Sequence, residues 1–297
     1  MNRQLSSRWQ LATSILVLLA MAGCWQVLSL VYTAEAAPGE PLVPGWQVLF
    51  SHTLLSLADY WPGGMGIPSV AEGAPRSYTA AAFAVLEHSW DTMLRLYTGL
   101  MCGALGGAVL GLAVSWSNWS RRLVNLPLQF LRTLPLLAMV PLFELWFGTY
   151  FVGEILFVAY GVGVIFFAGV VNAVGNVPQL YIDYARTLGA SRLRLYWTVI
   201  IPAILPELRS SILLSLGSAW AAVLGAEYLG AQSGIGYVIE YASQFGYVDR
   251  MFLIALVIVI YASISYAVFN WLASMWLVWT PRSRPRRLDT SLSTPTN

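Results

Sequence analysis

The stretch PQLYIDYARTLGASRLRLYWTVIIPAILPELR, Pro178 to Arg209, decides how this chain is read. It is polar and arginine-bearing, and it stands between two long apolar runs. Tyr181, Tyr184, Ala185, Leu188, Arg192 and Leu195 recur every three or four residues, which is a helical rhythm. Gly189 interrupts that rhythm, and Pro202 and Pro206 are expected to end it. The stretch reads as a short helix, a turn and a second helix lying at a membrane surface, ahead of a further span.

Composition supports the membrane setting. The chain has 297 residues, 58% of them apolar and 10% charged, whereas a soluble domain carries roughly 25% charged residues. The formal net charge is +2, too small to suggest a nucleic-acid partner. No lysine occurs, which removes a P-loop lysine and Schiff-base chemistry. If ATP drives this protein, another chain binds it. Cys24 and Cys102 fall in apolar runs and suggest neither a disulfide framework nor a metal site. The histidines are His52 and His88, and no nucleophile–base or metal-ligand spacing accompanies them. Gly161-Val162-Gly163 and Gly234-Ile235-Gly236 lack the rest of a nucleotide fingerprint and read as packing or turn glycines. No catalytic or metal-binding residue is assigned.

The apolar runs give an all-α membrane protein with about six transmembrane helices. The first covers Leu11 to Val31. Its ILVLLAMAGC run could end a lipoprotein signal at Cys24, but the apolar stretch continues past the cysteine, so an uncleaved helix is the expectation. Tyr32 to Asp91 is a long Pro- and Gly-rich segment in which Leu49 to Leu57 is too short to span and Ala80 to His88 is a separate helix. The second span is Thr92 to Val114, with Gly99, Gly103, Gly107 and Gly111 on one face. Small residues at that period let helices approach closely, across a dimer seam or within one subunit. Ser115 to Gln129 reads as a basic loop. The third span, Phe130 to Phe147, is interrupted by Pro135 and Pro141. The others are Glu154 to Val171, Pro206 to Leu229 and Met251 to Trp279, with a Gly-rich extramembrane segment from Gly230 to Arg250.

Six spans place both termini on one side. That side carries Arg3, Arg8, Arg121, Arg122, Arg132, Arg186, Arg192, Arg194, Arg209 and the four arginines of the tail PRSRPRRL. The other side carries Arg76, Arg95 and Arg250. The excess of arginine puts both termini and the Pro178 stretch in the cytoplasm. Tyr196-Trp197 and Trp276 with Trp279 fit an interfacial belt.

The Pro178 stretch also resembles the cytoplasmic coupling loop of ABC-importer permeases, which carries an E-A-A triplet, a glycine and a closing I-x-L-P. Asp183-Tyr184-Ala185 stands at the triplet, with aspartate for glutamate and tyrosine for alanine. Gly189 stands at the glycine, and Ile204-Leu205-Pro206 near the end. The resemblance runs from about His88 to Trp279 and is nearest the nitrate/sulfonate/taurine/bicarbonate branch. His88-Ser89 with Arg95, LRTLPLLAMVPLFELWFG (Leu131 to Gly148) and AEYLGAQSGIGYVI (Ala226 to Ile239) carry it. It implies a type I ABC importer-like fold in the bacterial inner membrane and a cargo that is a small anion. The implied partners are a second permease copy, two cytoplasmic ABC ATPase subunits that hold ATP and Mg, an extracytoplasmic solute-binding protein and the lipid bilayer. This chain itself would hold no cofactor.

On that reading Tyr181, Asp183, Tyr184, Ala185, Arg186, Thr187, Leu188 and Gly189 form the ATPase-coupling site. Glu144 is the acid nearest the middle of a span, and such a group faces a pathway or sits near the interface. Glu227 either gates the outer pathway or caps a helix. Arg95 either draws an anion to the outer mouth or pairs with Asp91. Phe143, Trp146 and Trp220 are candidate pathway aromatics. The domain division is 1–31 as tail and first helix, 32–91 as extracytoplasmic segment, 92–279 as permease core with the coupling loop at 178–205, and 280–297 as a basic disordered tail. The alternative function is an ion-gradient-driven secondary transporter, which Glu144 alone supports.

Overall fold

A computed structural model describes residues 2–276. Helix α1 (Asn2–Val31) runs unbroken through Cys24. A small antiparallel hairpin, β1 (Glu35–Ala37) and β2 (Glu40–Pro41), and a run of helical turns over 46–60 follow. The main body is α2 (Tyr78–Ser115), α3 (Asn118–Thr133), α4 (Val140–Phe147), α5 (Phe151–Asn176), α6 (Gln179–Thr187), α7 (Arg192–Leu229), α8 (Ile235–Gln244) and α9 (Val248–Trp276). Among the described residues five helices are long and apolar enough to cross a membrane, and α3 with α4 makes a sixth if that bent pair is one span.

Three apolar cores are stacked along the helices. Ala80, Ala81 and Ala84 of α2 pack with Leu49, Leu57, Ile235 and Leu253 at one end, the cap end. Leu96 and Leu100 join Phe157, Val162, Leu216 and Trp220 in the middle. Phe166, Val170, Leu195 and Ile204 form the third core at the end that carries α6. With 38 residues, α2 is about 57 Å long, well beyond a hydrocarbon thickness of about 30 Å. Its first turns reach past the central core and pack with Leu49 and Leu57 of the 46–60 turns, which with the hairpin form the cap.

The glycine face of α2 is spent inside the subunit. A Cβ at Gly99 would lie 2.5 Å from the Val158 Cβ, one at Gly103 2.5 Å from the Ala159 carbonyl oxygen, and one at Gly111 2.8 Å from the Val170 Cβ. Backbone-to-backbone approach of α2 and α5 accounts for the spacing, and no dimer seam is needed to explain it.

Several boundaries differ from the sequence expectation. Ala80 to His88 and Thr92 to Val114 are one helix, so the division at 91/92 falls inside α2. The basic loop is helical α3, and the chain turns by 91° between α3 and the 136–147 segment. Pro135 explains the turn: it disfavours the helical state of Leu134, which is extended at φ −64, ψ 125. Pro141 sits in the first turn of α4, where its missing N–H costs nothing. Pro202 and Pro206 do not end the coupling helix. A π turn over Tyr196–Ile200 leads directly into the Pro202 turn, and the helix continues to Leu229; neighbouring helices and local π adjustments make such prolines tolerable in membranes. The 230–250 segment contains α8. The tail at 280–297 and Trp279 lie outside the described residues.

Candidate functional site: a two-faced helix and a buried ion cluster

Helix α6 is nine residues long, too short to hold itself in water. One face anchors it: Ile182 and Ala185 pack against the third core, which includes Ala173, Leu195 and Ile200. The other face is open, with Leu180, Tyr181, Tyr184 and Leu188 being 60, 53, 63 and 86% exposed. Asp183 accepts from Gln179 Nε2 at 3.0 Å and lies 4.0 Å from the Arg186 guanidinium. Arg186 and Thr187 are exposed beside it.

The end of α6 is closed by backbone geometry. The Ala190 N–H donates to the Ala185 carbonyl at 3.0 Å and the Gly189 N–H to the Arg186 carbonyl at 2.9 Å. These are the two bonds of a Schellman motif, whose C′ residue must be left-handed. Gly189 has φ +76, a region that costs an L side chain about 1–2 kcal/mol. Nothing lies within 4 Å of the place a Gly189 Cβ would take. The glycine is needed for the turn, not for close approach within this chain. Ser191 then caps the next helix by accepting from the Arg194 N–H. Of the residues expected to couple, Tyr181, Asp183, Tyr184, Arg186, Thr187 and Leu188 lie on the open side and Ala185 on the anchoring side. Leu180, outside that expectation, shares the open face one helical turn before Tyr184.

A second concentration of chemistry lies under the cap. Arg95 is 4% exposed. Its Nη1 donates to Glu227 Oε1 at 2.8 Å and to the Ser233 carbonyl at 2.9 Å, its Nη2 to Ser233 Oγ at 2.8 Å, and its Nε faces the Glu154 carboxylate. The Phe151 ring lies 5.1 Å from the guanidinium carbon. Thr92 Oγ1 donates to Glu227 Oε2 at 2.8 Å. The opening N–H groups of α8 are then satisfied from outside the helix. Those of Gly234, Ile235 and Gly236 donate to His88 Nδ1, Thr92 Oγ1 and Glu227 Oε2 at 3.0, 2.9 and 3.0 Å. Because His88 Nδ1 accepts, its proton is on Nε2 and donates to the Tyr60 carbonyl at 3.2 Å. Buried charges persist only when paired and hydrogen-bonded; Arg95 and Glu227 meet both conditions, while Glu154 is held by its ion pair with Arg95 alone, and together they tie α2, α5, α7 and α8 to one another.

Further out, Asp59 is shared by Arg76, at 2.7 and 2.8 Å, and Arg250, at 3.1 Å. Thr53 Oγ1 donates to buried Asp249 at 2.6 Å. Burial pushes the Tyr60 phenol up to about 12, against the pull of Arg250. Burial also raises the Glu40 carboxyl, helped by Asp249 and opposed by Arg250 and His52.

Two expectations change here. Arg95 pairs with Glu154 and Glu227, not with Asp91, and it does not stand free at an outer mouth. Glu227 is 1% exposed and caps α8, so it lines no open space in this chain. Trp220 is buried in the central core. Phe143 is half-buried against Phe147, Phe157 and Tyr160. Trp146 is exposed. Glu144 is half-buried in a small cleft with Gly148, Thr149 and Gly230. Sequence reading missed Glu154, Thr92 and Ser233, since nothing in the order of residues brings positions 92, 154 and 233 together.

The chain matches the family model described as the binding-protein-dependent transport system inner membrane component over residues 103–276. The chain belongs to this family. The permease is 32% identical over 192 residues to the putative aliphatic sulfonates transport permease protein SsuC of Bacillus subtilis, covering 65% of this chain and 70% of that one. It is 30% identical over 159 residues to the taurine transport system permease protein TauC of Escherichia coli, covering 54% and 58%. Its fold is similar to a chain of the inward-facing MetNI methionine ABC transporter, with a TM-score of 0.58 and 19% identity over 67% of this chain and 98% of that one. The permease is therefore the inner-membrane translocation subunit of an ABC importer, working with a binding protein. It is non-catalytic, and ATP is hydrolysed on a separate subunit.

Proposed function

We propose that the permease carries a small anion, works as a pair of identical copies, and receives the stroke of its ATPase through α6. The observation that carries this reading is α6 itself. A nine-residue helix anchored on one face and offering Leu180, Tyr181, Tyr184 and Leu188 on the other is built to lie in a partner's groove. Asp183 and Arg186 flank that stripe. Two ATPase subunits, which bind the ATP and Mg, would each take one α6. Their closure would move α6 and, through the third core, the α6 ends of α5 and α7.

Charge supports an orientation with α6 and both termini in the cytoplasm. At the cap end Arg76, Arg95 and Arg250 are each matched by carboxylates. At the other end Arg121, Arg122, Arg192 and Arg194 have no acid within ion-pair distance among the described residues. Arginines gather at the α6 end, and arginine-rich short loops stay inside. The cap then faces outward, where an exported solute-binding protein would dock. The printed functions of the sulfonate and taurine relatives support a small organosulfonate or a similar oxyanion as cargo.

The test is to purify the tagged permease from its native membranes and identify what accompanies it. An ATPase and binding-protein-stimulated ATP hydrolysis are expected. A Tyr184→Ser, Leu188→Ser double variant should return the folded permease without the ATPase. Full ATPase recovery with that variant overturns the coupling assignment.

A further inference from the structure

One arginine has no counterpart in either cluster. Arg132 stands in the last turn of α3, before the bend at Leu134 and Pro135. Sequence order groups it with the arginines of the α6 end, but the fold does not. Arg121, earlier in α3, lies beside Gly175 at the end of α5. Arg132 instead lines a cleft with Leu134, Tyr160, Gly161, Ile165 and Ser218. Gly161 and Gly175 are fourteen residues apart on α5, or about 21 Å at 1.5 Å per residue. Tyr160 to Ile165 occupy the middle of α5, and Ser218 lies about two-thirds of the way along α7. Arg132 is thus level with the middle of α5, the part of a 26-residue span that lies nearest the bilayer centre.

A charge at that depth is costly and is kept where it faces a water-filled cavity or a partner. Arginine cannot escape the cost by losing its proton. No acid lies within ion-pair distance of Arg132 among the described residues. The cation at the neighbouring level, Arg95, is already held by two carboxylates. The cleft is about 260 Å³, room for a small polyatomic ion with several waters at ~30 Å³ each. Its walls add Ser218 and Tyr160, whose buried hydroxyl has no hydrogen-bond partner among the described residues.

We propose that this cleft is an anion-selective station of the translocation pathway, with Arg132 as its charge. The ligand is a monovalent oxyanion, a carboxylate or sulfonate head whose paired oxygens fit the guanidinium fork. Tyr160 and Ser218 supply neutral donors, so the site attracts an anion without holding it as a fully cationic cage would. The inference rests on the reading of the permease as the carrier of a small anion, and it replaces Arg95 as the cation of the pathway.

The test reads the chemistry of the cleft without ATP or the ATPase. In permease whose Cys24 and Cys102 are changed to serine, Ser218→Cys is labelled in membranes with an anionic and a cationic methanethiosulfonate reagent of similar size. With Arg132 present, the anionic reagent is expected to be favoured. Arg132→Gln should lower the anionic-to-cationic rate ratio by about tenfold or more, the low end of electrostatic focusing in a cleft. Arg132→Lys should keep most of the ratio. Methanesulfonate should slow labelling in the arginine form, and neutral dimethyl sulfone should not. An unchanged ratio in Arg132→Gln, no labelling at Ser218→Cys, or equal protection by the neutral sulfone overturns the proposal. The protection experiment needs no variant at Arg132, so it decides even if that variant fails to fold. The importer assignment stands or falls separately, on recovery of the ATPase.

Discussion

Changing Leu188 to serine should unseat the ATPase and leave the permease intact. Leu188 is 86% exposed, so its side chain contributes almost nothing to the fold of this chain. Burying a leucine is worth about 1.5–3 kcal/mol. If most of that area is covered in the partner's groove, Leu188→Ser forfeits about 2 kcal/mol, a roughly thirtyfold loss of affinity. The matched control is Ile182→Ser on the anchoring face, where the side chain packs on the third core. That change should lower the thermal midpoint of the permease. The assay is titration of purified ATPase onto permease in nanodiscs, with the melting midpoint followed by tryptophan fluorescence. Two results would overturn this expectation. One is ATPase affinity unaltered by Leu188→Ser. The other is a midpoint lowered by Leu188→Ser as far as by Ile182→Ser, which would make the open face a structural one.

Three further outcomes follow from the cap. Gly234→Ala places a Cβ 2.3 Å from the Glu227 carboxyl carbon at φ +112. Strain and overpacking together should cost about 3 kcal/mol, seen as a lower midpoint and faster hydrogen exchange in 230–244; wild-type exchange there would count against the clamp. Arg95→Met leaves Glu154 and Glu227 buried without their cation, a loss on the order of 3–5 kcal/mol, which adding Glu154→Gln should partly restore; no rescue would show that the pair is not the cause. Glu40 titrates above its ordinary value of 4.5 because of burial, so the fold holds a proton that the unfolded chain has already released. That contribution is present below 4.5 and is lost as pH rises through the folded value. Between those limits wild-type cap stability should fall with pH more than that of Glu40→Gln, and equal slopes in hydrogen exchange would dismiss the effect.

What could be read without the structure had a local physical cause. Membrane class follows from apolar runs long enough to span, and the distribution of arginine is what supports the proposed sidedness. The α6 turn follows from Gly189, because a left-handed C′ position selects glycine in any context. Even locally some signals misled: Pro202 and Pro206 read as a helix end, but a preceding π turn and the packing of Ile204 and Leu208 carry the helix through. Packing against α5 likewise explains the α2 glycines, which the sequence left open between two partners. Tertiary structure alone decided which charges meet. Arg95, Glu154 and Glu227 are spread across three spans, and Asp91 is the better partner for Arg95 by sequence distance. Arg132 shows the same limit. It lies eleven residues beyond Arg121 in one helix, and only the path of α3 beside α5, with the bend at Pro135, separates an arginine beside Gly175 from one level with the middle of α5. Sequence order fixes the spacing of charges along a helix, but their depth and their partners depend on how the helices lie against one another.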